Sequence, residues 1–368
     1  MPHVYVAYLT LSVPRCILIL TTTERRKLMA HDLEEQNGVA SFASFREPAW
    51  HGLGTVFTEE KSTIEMLEAA NLNGWNVRLE DLEAPSHLTS DKAYQYVLRT
   101  NPTNNTQTDI LGIVGERYVP LQNEDLFSFG DNILDGGGRW ETAGAIKGGR
   151  VVFGSLALER ETVLDPSGVA DKVKTYLLIN TSHDGSIAIQ ASITPVRVVC
   201  ANTLNLALGG VGRKKNKGIK QSFKIRHTQT ANGKVQIARE TLGLANAYMD
   251  EFDIMAKALF EKEVNAKSFN DIILAAYPKP EKDAKGALTK WENKIDTIND
   301  IYTGEFNGMI AGNAWGAFNA LTERLDWYRS ARGGNNESML ASASGFDPAI
   351  NAEKNRLLKV VQNVMQLA

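Results

Sequence analysis

Between Asn180 and Leu204 the chain reads NTSHDGSIAIQASITPVRVVCANTL, which gathers His183, Asp184, Ser186, Arg197 and Cys200 into one short stretch. Two covalent chemistries use these residue types. A Ser, a His and an Asp make a hydrolytic triad when the imidazole sits between the other two. A Cys close to a cation loses its proton more readily and becomes a nucleophile, and Arg197 stands three residues before Cys200. A third role needs no covalent step: Arg side chains hold phosphate through charged hydrogen bonds.

The elements that must position these residues favour the third role. Asp184-Gly185 suits a two-residue hairpin turn, where positive φ is required. Neighbours on a tight turn point apart rather than converge, and no G-x-S-x-G elbow occurs in the chain. His183-Asp184-Gly185-Ser186 therefore reads as a turn between strands at 174–182 and 186–193, with His183 and Ser186 bonding across it. In the second strand Ile187, Ile189, Ala191 and Ile193 alternate with Ala188, Gln190, Ser192 and Thr194, as on a half-buried strand. Thr194-Pro195 then resembles a helix start, and Val196, Val199, Cys200, Leu204, Ala207 and Leu208 recur at helical spacing up to Gly209-Gly210. The β-branched run Val196, Val198, Val199 argues for a strand instead. On the helix, Cys200 falls within the apolar stripe and reads as a small core residue.

Metal and nucleotide chemistry lack their motifs. The six His residues include no pair three to five apart, and two Cys cannot form a cysteine zinc site. Neither G-x-x-x-x-G-K-[ST] nor G-x-G-x-x-G is present. No metal and no cofactor is expected. The compact Trp50-His51-Gly52-Leu53-Gly54 fits an aromatic-anchored turn as well as a functional motif.

The surrounding pattern predicts an α+β fold: an antiparallel sheet with hairpins and short helices, then a mostly helical C-terminal half. Ser62-Thr-Ile-Glu65 is a capping box opening a helix over 64–71. Strands are expected at 75–79, 94–100, 110–119, 140–146 and 150–158, the last two around Gly148-Gly149, with a helix over 123–134. Helices follow at 234–263, 268–277, 288–302, 314–332 and 349–367. The expected organisation is an α+β domain over 29–227 and a helical region over 228–368, packed on it or forming an oligomer interface. Residues 1–28 hold an apolar run broken by Pro14-Arg15, short for a spanning helix and without a signal peptide's flanks. They read as an upstream extension with Met29 as the start, outside the fold. Nearly absent cysteine and no membrane segment fit a cytoplasmic protein.

Charge is the strongest physical signal. From Gly185 to Arg239 there is no acidic residue, while Arg197, Arg213, Lys214, Lys215, Lys217, Lys220, Lys224, Arg226, Lys234 and Arg239 are basic. The whole chain carries −3, which leaves −13 for the rest. A basic stretch on an acidic protein is an electrostatic footprint for a polyanion. Arg197 and the seven basic residues from Arg213 to Arg226 are the candidate phosphate contacts. Trp140, Tyr176 and Phe223 lie near the stretch in sequence and are candidates to stack on bases.

Several motifs recur in one order: Pro48-Ala-Trp-His-Gly-Leu-Gly54, Glu141-Thr-Ala-Gly144, Asn180 to Ser186, Pro195 to Leu204, and Ala314-Trp-Gly-Ala-Phe-Asn-Ala-Leu-Thr-Glu323. In these the chain resembles a phage/plasmid-like family of unknown function, from about residue 30 onward. The resemblance brings no known activity but implies a mobile-element setting in a bacterial host. More loosely, the order of hairpins, helix and basic loop is similar to single-strand annealing recombinases. The expected function is non-enzymatic binding of single-stranded DNA, with strand annealing by a homo-oligomer. Two alternatives stay open: an enzyme acting on nucleic acid or nucleotide through His183, Asp184 or Cys200, and a phage interaction protein that inhibits a host system.

Overall fold

The computed structural model describes residues 33–46, 53–83, 93–134, 137–165, 167–187, 189–197, 202–203, 222–224, 231–281, 286–328 and 348–367. The extension 1–28, the start at Met29, Trp50, His51, Cys200 and most of the basic stretch lie outside them.

Asn37 and Gly38, both at positive φ, close a small hairpin between β1 (Glu35–Gln36) and β2 (Val39–Ala40). β3 (Phe42–Phe45) follows, fully buried, and β4 (Thr55–Phe57) lies parallel to it. Gly54 precedes β4 at φ 87°, where a Cβ would run into the Phe42 backbone. The Ser62–Glu65 capping box forms as the sequence requires and opens α1 (Thr63–Ala69). β5 (Arg78–Asp81), β6 (Tyr94–Asn101) and β7 (Asn104–Gly115) make a three-stranded antiparallel sheet. The second segment pairs from Asn104, earlier than the expected 110, because the turn needs only Pro102 and Thr103.

α2 (Asn123–Leu134) leads into the larger sheet: β8 (Gly138–Ile146), β9 (Val151–Leu164), β10 (Asp171–Ser182), β11 (Gln190–Arg197), β12 (Asn202–Thr203) and β13 (Ser222–Lys224). Its order is β12-β11-β10-β9-β8-β3-β4, with β13 also on β11. Every pair except β3–β4 is antiparallel.

Three expectations fail in this sheet. The start of the helix predicted from Thr194-Pro195 is strand: β11 runs through Pro195 to Arg197 and pairs with Val173–Asn180 of β10. The β-branched residues prevail, because pairing with the long β10 outweighs a capping signal. The predicted two-residue hairpin at Asp184-Gly185 is also longer, since β10 ends at Ser182 and β11 begins at Gln190. Nor is β11 half-buried: Ser192 and Thr194 are as buried as Ala191 and Ile193.

The helical half is α3 (Ala231–Phe260), α4 (Ala266–Ala276), α5 (Ala287–Thr303), a short 3-10 turn at Gly308–Ile310, α6 (Ala314–Trp327) and α7 (Pro348–Met365). α3 buries Ala245, Tyr248, Met249, Phe252, Met255, Ala256 and Leu259, a continuous stripe at helical spacing. Beside that stripe Asp250 and Asp253 hold Arg160 of β9, at 2.7 and 2.9 Å. α6 is buried on nearly every side from Ala314 to Glu323 and sits among α3, α5, α7 and β12. Its Trp315 Nε1 donates to Asp171 of β10 at 2.9 Å. A single apolar cluster runs from Ala43 through the sheet and helices to Met365. Among the described residues no helix is long and apolar enough to cross a membrane.

Candidate functional site

His183 follows the last residue of β10, and its side chain is fully buried. Its Nε2 lies 2.9 Å from Asn123 Oδ1, while Asn123 Nδ2 donates to the Leu72 carbonyl at 2.8 Å. With the amide oriented by Leu72, Oδ1 accepts and Nε2 carries the hydrogen. Nδ1 then faces the interior as a bare lone pair without a partner. The backbone N–H of His183 donates to Arg150 in the turn between β8 and β9. Burial, with the nearby Arg99 charge, lowers the imidazole pKa to about 4.

The imidazole therefore does not bond across the turn to Ser186, as its position suggested. Asp184 instead accepts from the Ser186 N–H at 2.9 Å, and Ser186 Oγ reaches Ser182 Oγ at 3.3 Å. Gly185 takes φ 75°, the conformation that Asp-Gly was expected to supply. His183, Asp184 and Ser186 are adjacent but are not in a triad, since the ring's partner is Asn123.

Behind His183 lies a buried polar chain that periodicity did not reveal. The Trp75 ring centroid is 5.7 Å from that of His183, and Arg99 Cζ is 4.1 Å from Trp75. Arg99 has no exposed surface; it pairs with Glu34 and, at 3.0 Å, with Asp109. Burial pushes the Asp109 carboxyl up, but hydrogen bonds from Gln36 and Asn101 and the Arg99 charge bring its pKa below the ordinary value. Gly149 is required beside it, because a Cβ there would strike the guanidinium. Glu34 and Arg99 are far apart in sequence and share no motif, so nothing local announces them. This cluster ties the β1–β2 hairpin and the smaller sheet to the larger sheet.

The basic stretch enters the described fold at its two ends. Arg197 closes β11, opposite Val173 of β10 and Asn202 of β12. Lys224 closes β13, opposite Gln190. Arg213, Lys214, Lys215, Lys217, Lys220 and Arg226 lie outside the described residues. β12 pairs at Val196 and β13 at Ser192, so both attach to β11. β12 and β13 thus attach to β11 at positions four apart, roughly 13 Å.

Beside that strand the sheet carries a group of mixed charge. Val196 is opposite Lys174 of β10. Lys174, Arg139 and Arg46 act on one carboxylate, Glu141, whose pKa burial raises against their pull. Of the aromatic candidates, Trp140 is buried and stacks on Phe127 at 4.7 Å between centroids, which withdraws it from any base. Tyr176 is half-buried on β10, and Phe223 is opposite Ala191 of β11. Among the described residues no three His, Cys, Asp or Glu side chains converge as metal ligands.

No curated protein and no solved structure matches the chain. The family described as "Domain of unknown function (DUF932)" matches residues 110–344, from within β7 to beyond α6. That span covers the larger sheet from β8 onward, the basic stretch and most of the helices, and the chain belongs to this family.

Proposed function

We propose that the chain binds single-stranded DNA through its acid-free stretch, in a phage or plasmid setting, and that copies assemble to anneal strands. One observation carries the reading. The sequence between β12 and β13 carries Arg213, Lys214, Lys215, Lys217 and Lys220 and no carboxylate, and both of these strands pair with β11. Five cations within eight residues suit a polyanion with regularly spaced phosphates. The fully buried His183, bonded to Asn123, gives the hydrolytic alternative no support.

Oligonucleotide binding against salt concentration tests the proposal. If five of the eight named cations touch phosphates, the slope of log K against log salt is about −3.5 for a single strand. Replacing Lys214, Lys215 and Lys217 by Glu should abolish binding and leave the circular dichroism spectrum unchanged. Absence of binding at about 50 mM salt, where phosphate contacts are strong, sinks the proposal.

A further inference from the structure

In the helical half, three helices bring charged side chains onto one tyrosine at the end of a fourth. Tyr277 caps the C-terminus of α4, and its carbonyl accepts the Trp291 indole hydrogen at 2.8 Å, which holds α5 beside it. Around its ring stand Lys294 Nζ of α5 at 4.5 Å, Arg356 Cζ of α7 at 5.7 Å and Arg324 Cζ of α6 at 6.0 Å from the centroid. Three cations share the quadrupole of one ring, and they repel one another. The carboxylate acting on all three is Glu353, and Arg356 already binds it with two nitrogens, at 2.8 and 2.7 Å. Lys294 and Arg324 have no ion pair among the described residues. Arg324 Nε and the Tyr277 hydroxyl are buried and make no hydrogen bond of normal geometry, although the Arg324 and Tyr277 side chains lie close enough to act on one another. Burial, then the Arg324 and Arg356 charges, hold the Lys294 ammonium below its ordinary pKa despite Glu353.

The geometry points to an oxyanion site formed by Tyr277, Lys294, Arg324 and Arg356 that takes a phosphate group. Three cations against one carboxylate leave an excess of two positive charges, which a phosphate dianion neutralises. A guanidinium with a free Nε, a lysine point charge and a hydroxyl donor suit several oxygens on one tetrahedral centre. Lys294 and Arg324 are only half-buried, so the site is open to solvent on one side. The same phosphate chemistry occurs on a small phosphorylated molecule and on a nucleic-acid backbone. The site includes none of the basic residues from Arg213 to Arg226 and does not rest on the function proposed above.

Calorimetric titration of the full chain with inorganic phosphate, at fixed ionic strength against chloride, tests it. Wild type should bind one phosphate saturably. Lys294→Gln and Arg324→Gln should each weaken that binding about tenfold or more. Lys294→Gln removes a half-exposed, unpaired cation, so without phosphate its melting temperature should rise above wild type as repulsion is relieved. No saturable binding to wild type, or unchanged affinity in both variants, overturns the proposal. An oligothymidylate arm separates the sources: weaker oligonucleotide binding in Lys294→Gln assigns the site to a backbone phosphate, and unchanged binding assigns it to a small molecule. If the triple Glu variant of the basic stretch loses the oligonucleotide but keeps inorganic phosphate, the two proposals are separated.

Discussion

Arg99 Cζ sits 4.1 Å above the Trp75 ring while Glu34 and Asp109 hold the guanidinium nitrogens. A fully buried charge is tolerated only with partners in place. Arg99→Met leaves two carboxylates facing an apolar contact, and should cost about 3–5 kcal/mol in urea unfolding. Adding Glu34→Gln to it should recover part of that loss, since one uncompensated charge is removed. A cost below about 1 kcal/mol for Arg99→Met would show that the pair is not a structural tie.

His183 sets a pH dependence. Its pKa is about 4 in the folded chain against an ordinary value of 6.5. Between those values the unfolded chain takes up a proton that the folded chain refuses. The stability contribution is therefore complete above pH 6.5, falls as pH drops toward 4, and changes no further below it. Its size is on the order of 3 kcal/mol. His183→Gln, which still reaches Asn123, should flatten the stability profile in that window, measured by urea unfolding at stepped pH.

Gly130 of α2 sets two effects against each other. Alanine is the better helix former by about 1 kcal/mol. Yet a Cβ there would overlap the Trp140 ring, which is locked by its Nε1 bond to Thr63 at 2.8 Å and its stack on Phe127. Overpacking of about 1–3 kcal/mol prevails over propensity, so Gly130→Ala should lower the melting temperature. A rise would mean that Trp140 moves aside freely.

Trp315 of α6 and Asp171 of β10 join the two halves through a buried hydrogen bond. Trp315→Phe should cost roughly 1.5–3 kcal/mol, as for a bond to a charged acceptor. Because one apolar cluster runs through both halves, helical and sheet signals should fall in the same transition. Separate transitions in the variant would show that the halves hold their structure independently.

Sequence patterning and structure agree where the determinants are local. Ser62 and Glu65 cap their helix, α2 spans Asn123–Leu134 as expected, and the stripe of α3 faces the core. They part where distant chain segments decide. Thr194-Pro195 has the chemistry of a helix start, yet pairing with Thr175 and Tyr176 of β10 makes it strand. His183 carries the chemistry of catalysis, yet Asn123 and Trp75, both remote in sequence, make it an interior group. Arg99, Glu34 and Asp109 showed no signal, because a buried ion pair between separated segments has no periodicity. Tyr277 and its cations were unseen for the same reason: they come from four helices with no common spacing.

The register of β3 carries a consequence for synthesis. Phe42, Ala43 and Ser44 leave the ribosome early, but their antiparallel partners are Gly144, Ala143 and Thr142, about a hundred residues later. At bacterial and eukaryotic elongation rates of about 5–20 residues per second, that strand waits roughly 5–20 s for its neighbour. Throughout the wait Phe42 and Phe45, buried in the finished molecule, lack that neighbour, and only the parallel β4 can pair with their strand. The nascent chain thus carries an apolar strand with one edge open, a point at which chaperone capture and vectorial folding compete.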